Sequence, residues 1–124
     1  MTEAYDFLRE AGTWFLATAE GGQPRLRPMG GIGLYRDRVY FMTGSRKAVS
    51  RQLHANPRVE LCAAQGDTWL RVEGSTVLDS DPAAREAFPP PQALYVPEGA
   101  ELWYLRNCAA ALYSGAELVK TWRF

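Results

Sequence analysis

Cysteine and histidine are scarce in this sequence, with two Cys and one His among 124 residues. Cys62 and Cys108 lie far apart with no Cys-x-x-Cys spacing, so they make neither a disulfide framework nor a zinc site. That usage fits a reducing, cytoplasmic compartment and two buried structural thiols. Long apolar runs are missing too. No stretch approaches the ~20 residues of a membrane-spanning helix, and the polar, acidic opening MTEAYDFLRE is unlike a secretion signal. There is no net charge: 14 Lys+Arg balance 14 Asp+Glu, which argues against a generally basic nucleic-acid binder. Catalytic signatures are equally absent. The chain has no G-x-S-x-G elbow, no GxxxxGK[ST] loop and no GxGxxG after a strand, and its carboxylates are scattered singly. His54 has no evident partner.

What the chain does have is a core. It is 47% hydrophobic and 12% aromatic at 13.9 kDa. Area scaling gives roughly 20,000 Å² for the unfolded chain and about 6,700 Å² folded, enough burial for one unstapled domain over residues 1–124.

The zero charge is a sum of unequal parts. Arg25, Arg27, Arg36, Arg38, Arg46, Lys47, Arg51 and Arg58 face a single acid, Asp37, so residues 25–58 carry 8 − 1 = +7. The rest carries 6 − 13 = −7. Solvated helix and turn faces produce such a segment as readily as a pocket for an anion does.

Ala4, Phe7, Leu8 and Ala11 recur at helical spacing before Gly12, which predicts a short helix over residues 2–11. Strands follow at 13–19 and 23–29, the second interrupted by Pro24 and Pro28 as an edge or bulge. Residues 34–42 read as a hairpin with the polar tip Arg36-Asp37-Arg38. Ser45 is placed to cap a helix from Arg46 to about Ala55, which Asn56-Pro57 ends. Strands are expected at 59–63 and 69–79, then a short helix capped by Asp81 with Pro82 at its first position. Residues 88–100 read as loop. In 102–113, Ala109-Ala110-Ala111 favours helix and Trp103, Tyr104 and Tyr113 favour strand; the short-strand context decides for strand. A last strand covers 117–124. About six short strands and two or three short helices make a mainly β, barrel-type pattern.

Arg46 and Lys47 in the first turn of a helix oppose its dipole, whose positive end disfavours cations by about 0.3–1 kcal/mol. Thr43, Gly44 and Ser45 precede them, supplying hydroxyls and close backbone approach beside the free N–H groups of a helix start. Together these describe a phosphate receptor. A phosphate site without an acid, base or nucleophile suits a protein that holds a cofactor carrying its own chemistry, such as a flavin.

The stretch Thr43-Gly44-Ser45-Arg46-Lys47-Ala48 through Leu53-His54-Ala55-Asn56-Pro57-Arg58-Val59-Glu60-Leu61 resembles the FMN-binding split-barrel family related to pyridoxamine 5′-phosphate oxidase. Phe15-Leu16-Ala17-Thr18 with Gly21 to Gly30 is similar to that family's opening hairpin, and Leu70-Arg71-Val72-Glu73-Gly74 to its later strand, so residues 13–80 are covered. The resemblance implies a six-stranded antiparallel Greek-key split β-barrel, a homodimer, and FMN at the dimer interface. It assigns Arg46 and Lys47 to the FMN phosphate with Ser45 and Ser50 assisting, Arg27, Pro28, Met29 and Gly30 to the isoalloxazine, and Met42, Thr43 and Gly44 to the strand end beside the ring. Trp69 and Trp122 are expected either in the second subunit's wall of the site or as plain core aromatics. The small stress-protein-like members are the nearest in kind, because residues 102–124 show no match to the authentic oxidase's substrate-binding C-terminal portion. The implied activity is an oxidoreductase of unknown substrate, reduced by a nicotinamide nucleotide and passing electrons to a small-molecule acceptor. A non-catalytic flavin-binding or storage module and a deazaflavin-binding reductase are the alternatives.

Overall fold

The computed structural model describes residues 2–88 and 99–124. Among them the chain runs α1 (Glu3–Ala11), β1 (Trp14–Glu20), β2 (Gln23–Met29), β3 (Gly33–Tyr35), β4 (Arg38–Gly44), α2 (Ala48–Ala55), β5 (Arg58–Gln65), β6 (Thr68–Leu78), α3 (Pro82–Ala87), β7 (Ala100–Ser114) and β8 (Glu117–Arg123). The mainly β class is as expected. The strand count of six is not: there are eight, the expected hairpin over 34–42 supplying both β3 and β4 and the expected last strand forming β8 on β7. Residues 102–113 are strand, with Ala110 on the buried face and Ala109 and Ala111 on the other. Residues 89–98, most of the expected 88–100 loop, lie outside the described residues.

All pairings are antiparallel. The sheet order is β2-β1-β5-β6-β7-β4-β3, with β8 on β7 beyond the reach of β4. Four strand steps separate β1 from β4, about 19 Å in a flat sheet at ~4.8 Å per step. Yet the rings of Trp14 on β1 and Phe41 on β4 meet edge to face with centroids 5.7 Å apart. The sheet is therefore rolled up without closing. Trp14, Leu16, Leu61, Leu70 and Val72 alternate onto the inner face and are fully buried.

The helices cover what the roll leaves open. α1 lays Ala4 and Leu8 on the core and stops at Gly12, whose φ of 81° is easily reached only without a Cβ. α2 packs against both β1 and β4, across the open side of the roll. α3 starts as expected, with the Asp81 carboxylate accepting from the Ala83 N–H at 3.0 Å and Pro82 in its first turn. It covers a second small core of Tyr40, Leu102 and Ala84 on the other face of β4.

A β-bulge between Glu73 and Ser75 bends β6 where β7 passes from β4 to β8. Asn107 takes up a left-handed φ of 55° there. A Cβ on Gly74 would stand 2.5 Å from Cys108 Sγ and 3.1 Å from Cys108 Cα. Since Cys108 is fully buried and part of the strand ladder, it has nowhere to move. Gly74→Ala should lower stability by about 1–3 kcal/mol, as overpacking does. An unchanged urea midpoint would contradict this close approach.

Burial pushes the Cys108 thiol up to about 11. Burial disfavours the thiolate in the folded chain, so stability is unaffected while both thiols are protonated and falls as pH rises from about 9, where the unfolded thiol ionises, toward 11. Stability measured across that range should therefore fall more steeply for the natural chain than for Cys108→Ala; parallel profiles would refute it.

Candidate functional site

β4 ends at Gly44, and the chain turns through Ser45, Arg46 and Lys47 into α2. The helix begins two residues later than the sequence suggests, and Ser45 is not its cap. Lys47 holds the N-cap position with φ −79° and ψ 152°, and no side chain caps the helix. The reason is the tight turn ahead of it. Ser45 N–H donates to Gly99 O at 2.6 Å, and Lys47 N–H donates to Gly44 O at 3.0 Å. Arg46 and Lys47 thus stand just before the helix, still at the positive end of its dipole, with no acid in the first turn. Both are exposed, and among the described residues neither makes an ion pair. Two cations beside the first amides of a helix form an anion receptor that no acid among the described residues fills.

Two polar networks hold α2. Toward β1 and β2, the buried Gln52 Oε1 accepts from Thr18 Oγ1 and from an Arg27 terminal nitrogen, each at 2.5 Å. The other Arg27 terminal nitrogen donates to Thr18 Oγ1 at 2.8 Å and Leu16 O at 3.1 Å. Toward β7, the nearly buried Ser50 Oγ donates to Glu101 Oε1 at 2.7 Å. His54 Nε2 lies 3.0 Å from Glu101 Oε2, and Trp103 Nε1 donates to Oε1 at 3.3 Å. Burial pushes the Glu101 carboxyl up, but the Ser50, His54 and Trp103 donors outweigh it and hold it below its ordinary value.

The residues singled out from the sequence are distributed as follows. Thr43, Gly44, Ser45, Arg46, Lys47 and Ser50 form one continuous segment around the turn, with Thr43 and Ser50 buried and the cations outside. Ser50 is already engaged by Glu101. Arg27 reaches α2 through Gln52, and Met29 packs on the core, whereas Pro28 alternates to the outer face of β2. Among the described residues no atom lies within 4 Å of where a Cβ on Gly30 or Gly31 would stand. Met42 leans on the second core, on the opposite face of β4 from Phe41. Trp69 lies at the start of β6, stacked on Tyr113 at 4.3 Å with its Nε1 donating to Gly115 O at 2.8 Å. Trp122 packs partly on the core, and its Nε1 has no partner among the described residues.

Glu101, Gln52 and Thr18 were not foreseeable as a group, although Thr18 and Gln52 each leave a trace. Thr18 follows Trp14 and Leu16 on the inward positions of β1, and Gln52 sits among the buried residues of α2. A polar residue at a core position is the signal of a buried network.

Residues 1–102 match the family model described as pyridoxamine 5′-phosphate oxidase. No curated protein matches the chain significantly in sequence. Among solved structures, a NimC/NimA family protein from Clostridium acetobutylicum superposes with a TM-score of 0.87 at 28% identity, over 100% of this chain and 93% of that one. A protein from the same organism, related to general stress protein 26 of the pyridoxinephosphate oxidase family, gives 0.73 at 16% identity, over 98% and 92%. A pyridoxamine 5′-phosphate oxidase-related, FMN-binding protein from Nostoc punctiforme gives 0.63 at 20% identity, over 98% and 93%. With four-fifths of its length inside the family model and the same rolled sheet in these relatives, the chain belongs to the pyridoxamine 5′-phosphate oxidase family.

Proposed function

We propose that this protein binds flavin mononucleotide and acts as an oxidoreductase, working as a homodimer with the flavin held between two copies. The observation that carries the proposal is the turn before α2, where Arg46 and Lys47 are exposed beside an uncapped helix start and make no ion pair among the described residues. That donor set fits a phosphate dianion better than it fits water, since each cation there opposes the helix dipole unless an anion joins it. The FMN-binding relative from Nostoc punctiforme supports flavin as the group attached to the phosphate.

The chain's own residues would share the work unequally. Arg46 and Lys47, with the first amides of α2, anchor the phosphate. Gly30 and Gly31, around which the structure leaves open space, let a flat ring approach the backbone. Arg27 contributes a positive charge fixed by its bonds to Thr18 and Gln52; burial lowers its pKa, yet a guanidinium stays charged. When bound, the flavin supplies the electron transfer. The nicotinamide nucleotide that reduces it and the acceptor that reoxidises it belong to the same proposal.

The second copy is supported by the outer face of the sheet. Phe15 and Leu26 are 43% and 69% exposed, and Trp69 and Tyr113 stand on the same face by strand register. Glu60 is paired directly with Glu73 across β5 and β6, which is unfavourable in an isolated sheet. Arg71 and Arg123 line the same cleft of about 460 Å³, so a two-fold related copy can set arginines against this acid pair.

The protein as purified should be yellow and release FMN on denaturation. Steady oxidation of NADH or NADPH with an added acceptor would mark an oxidoreductase, whereas a coloured protein without turnover would be a flavin carrier. Arg46→Ala with Lys47→Ala should weaken FMN binding at least tenfold, about 1.4 kcal/mol, by fluorescence titration. Unchanged affinity would remove the phosphate assignment. Light scattering should report a dimer, and Phe15→Glu with Leu26→Glu should shift it toward monomer; a natural chain that is monomeric with FMN present would rule out the shared site.

A further inference from the structure

Glu101 is out of place electrostatically. It is the carboxylate against which α2 rests, close behind a turn proposed to hold an anion. A charge there, taken alone, repels that anion. Its surroundings suggest another purpose.

β7 enters the sheet along the turn and touches it at three successive residues. Gly99 O accepts from Ser45 N–H at 2.6 Å. Gly99 has φ +87°, which disfavours a side chain, and a Cβ there would stand 2.7 Å from Ser45 Oγ and force that hydroxyl to rotate. Ala100 pairs with Gly44 and Glu101 with Thr43 in the β4–β7 ladder. Glu101 then extends one carboxylate oxygen to Ser50 and the other to His54, residues four apart on successive turns of α2. The segment 43–50 is thereby closed into a loop, pinned to Glu101 by backbone register at its start and by a side chain at its end.

We propose, on the basis of the phosphate assignment above, that Glu101 is a positioning residue for the anion-binding turn: it fixes the rotation and height of α2 so that Arg46, Lys47 and the first helical amides converge on one point. α2 has eight residues, no side-chain cap and no acid in its first turn. Helices this short are marginal on their own, so the geometry of its start is imposed from outside. A carboxylate holding two helical turns does so where one contact would leave the helix free to rotate.

The test uses the fact that charge and position act with opposite sign. Glu101→Ala removes a negative charge, so simple electrostatics predicts tighter FMN binding. Loss of positioning predicts weaker binding by roughly tenfold, the equivalent of one charge-assisted hydrogen bond to phosphate. Riboflavin, which lacks the phosphate, separates positioning from general damage to the fold. Fluorescence titrations of the full chain with FMN and with riboflavin should show the FMN preference reduced by Glu101→Ala, with riboflavin affinity unchanged. Glu101→Gln keeps an acceptor for Ser50 and should recover most of the preference. Where Glu101→Ala fails to fold, His54→Ala, which frees the other carboxylate oxygen, supplies the same comparison with a smaller loss. An FMN preference that survives in the folded variants, or equal losses for both flavins, overturns the role of Glu101. A natural chain with no preference for FMN over riboflavin removes the phosphate assignment and this inference together.

Discussion

The structure depends on one strand serving two partners along the same edge. β7 pairs with β6 for most of its length, but its other edge is shared between β4 over Ala100–Tyr104 and β8 over Ala109–Ser114. A strand continuous with both cannot keep a regular twist through the changeover, and the irregularities concentrate there: the left-handed Asn107, the β6 bulge, and Gly74 closed down on Cys108. The division releases β4 and β3 to fold over the core and bring Phe41 to Trp14. It also opens the gap that α2 fills. Every feature of the candidate site lies along that gap: the turn at its mouth, and the Arg27 and Glu101 networks on its two sides.

The gap is sealed by polar groups, which constrains it more tightly than apolar packing would. Gln52 Oε1 receives a hydroxyl and a guanidinium, and Glu101 receives a hydroxyl, an imidazole and an indole. Removing one partner from such a network leaves a buried group unsatisfied at about 1–3 kcal/mol. Apolar residues in these places could slide or rotate; these networks allow one orientation of α2. The second partner of each network also differs in kind. Arg27 brings a fixed guanidinium charge to a neutral amide oxygen, whereas His54 brings an imidazole to a carboxylate.

Much of this was legible in the sequence. Strand alternation in Trp14-Phe15-Leu16-Ala17-Thr18, the Gly12 helix end, the Asp81-Pro82 start and the Asn56-Pro57 stop are local signals, and the structure follows them. So is the basic turn, because charge opposed to a helix dipole is visible without coordinates. Ser45 misled because capping chemistry is local while its N–H was claimed by Gly99, more than fifty residues away. Glu101 was invisible for the same reason. Nothing near it in sequence distinguishes it from other single carboxylates, and its meaning comes from register with Thr43 and from the far side of α2. The count of six fell short although the elements themselves were legible, since the hairpin over 34–42 holds two strands and the last segment a further one.

The missing helix cap and the proposed ligand are two sides of one energetic account. A Ser, Thr, Asp or Asn cap stabilises a helix start by about 1 kcal/mol, and each uncompensated cation there costs about 0.3–1 kcal/mol. α2 forgoes the first and accepts the second twice, with Lys47 in the cap position itself. A phosphate dianion held at that point would do the work of the cap and reverse the sign of both cationic terms. The ligand would thus replace an interaction that the sequence omits, and a phosphate-bearing ligand that binds only the folded chain would raise its stability with concentration.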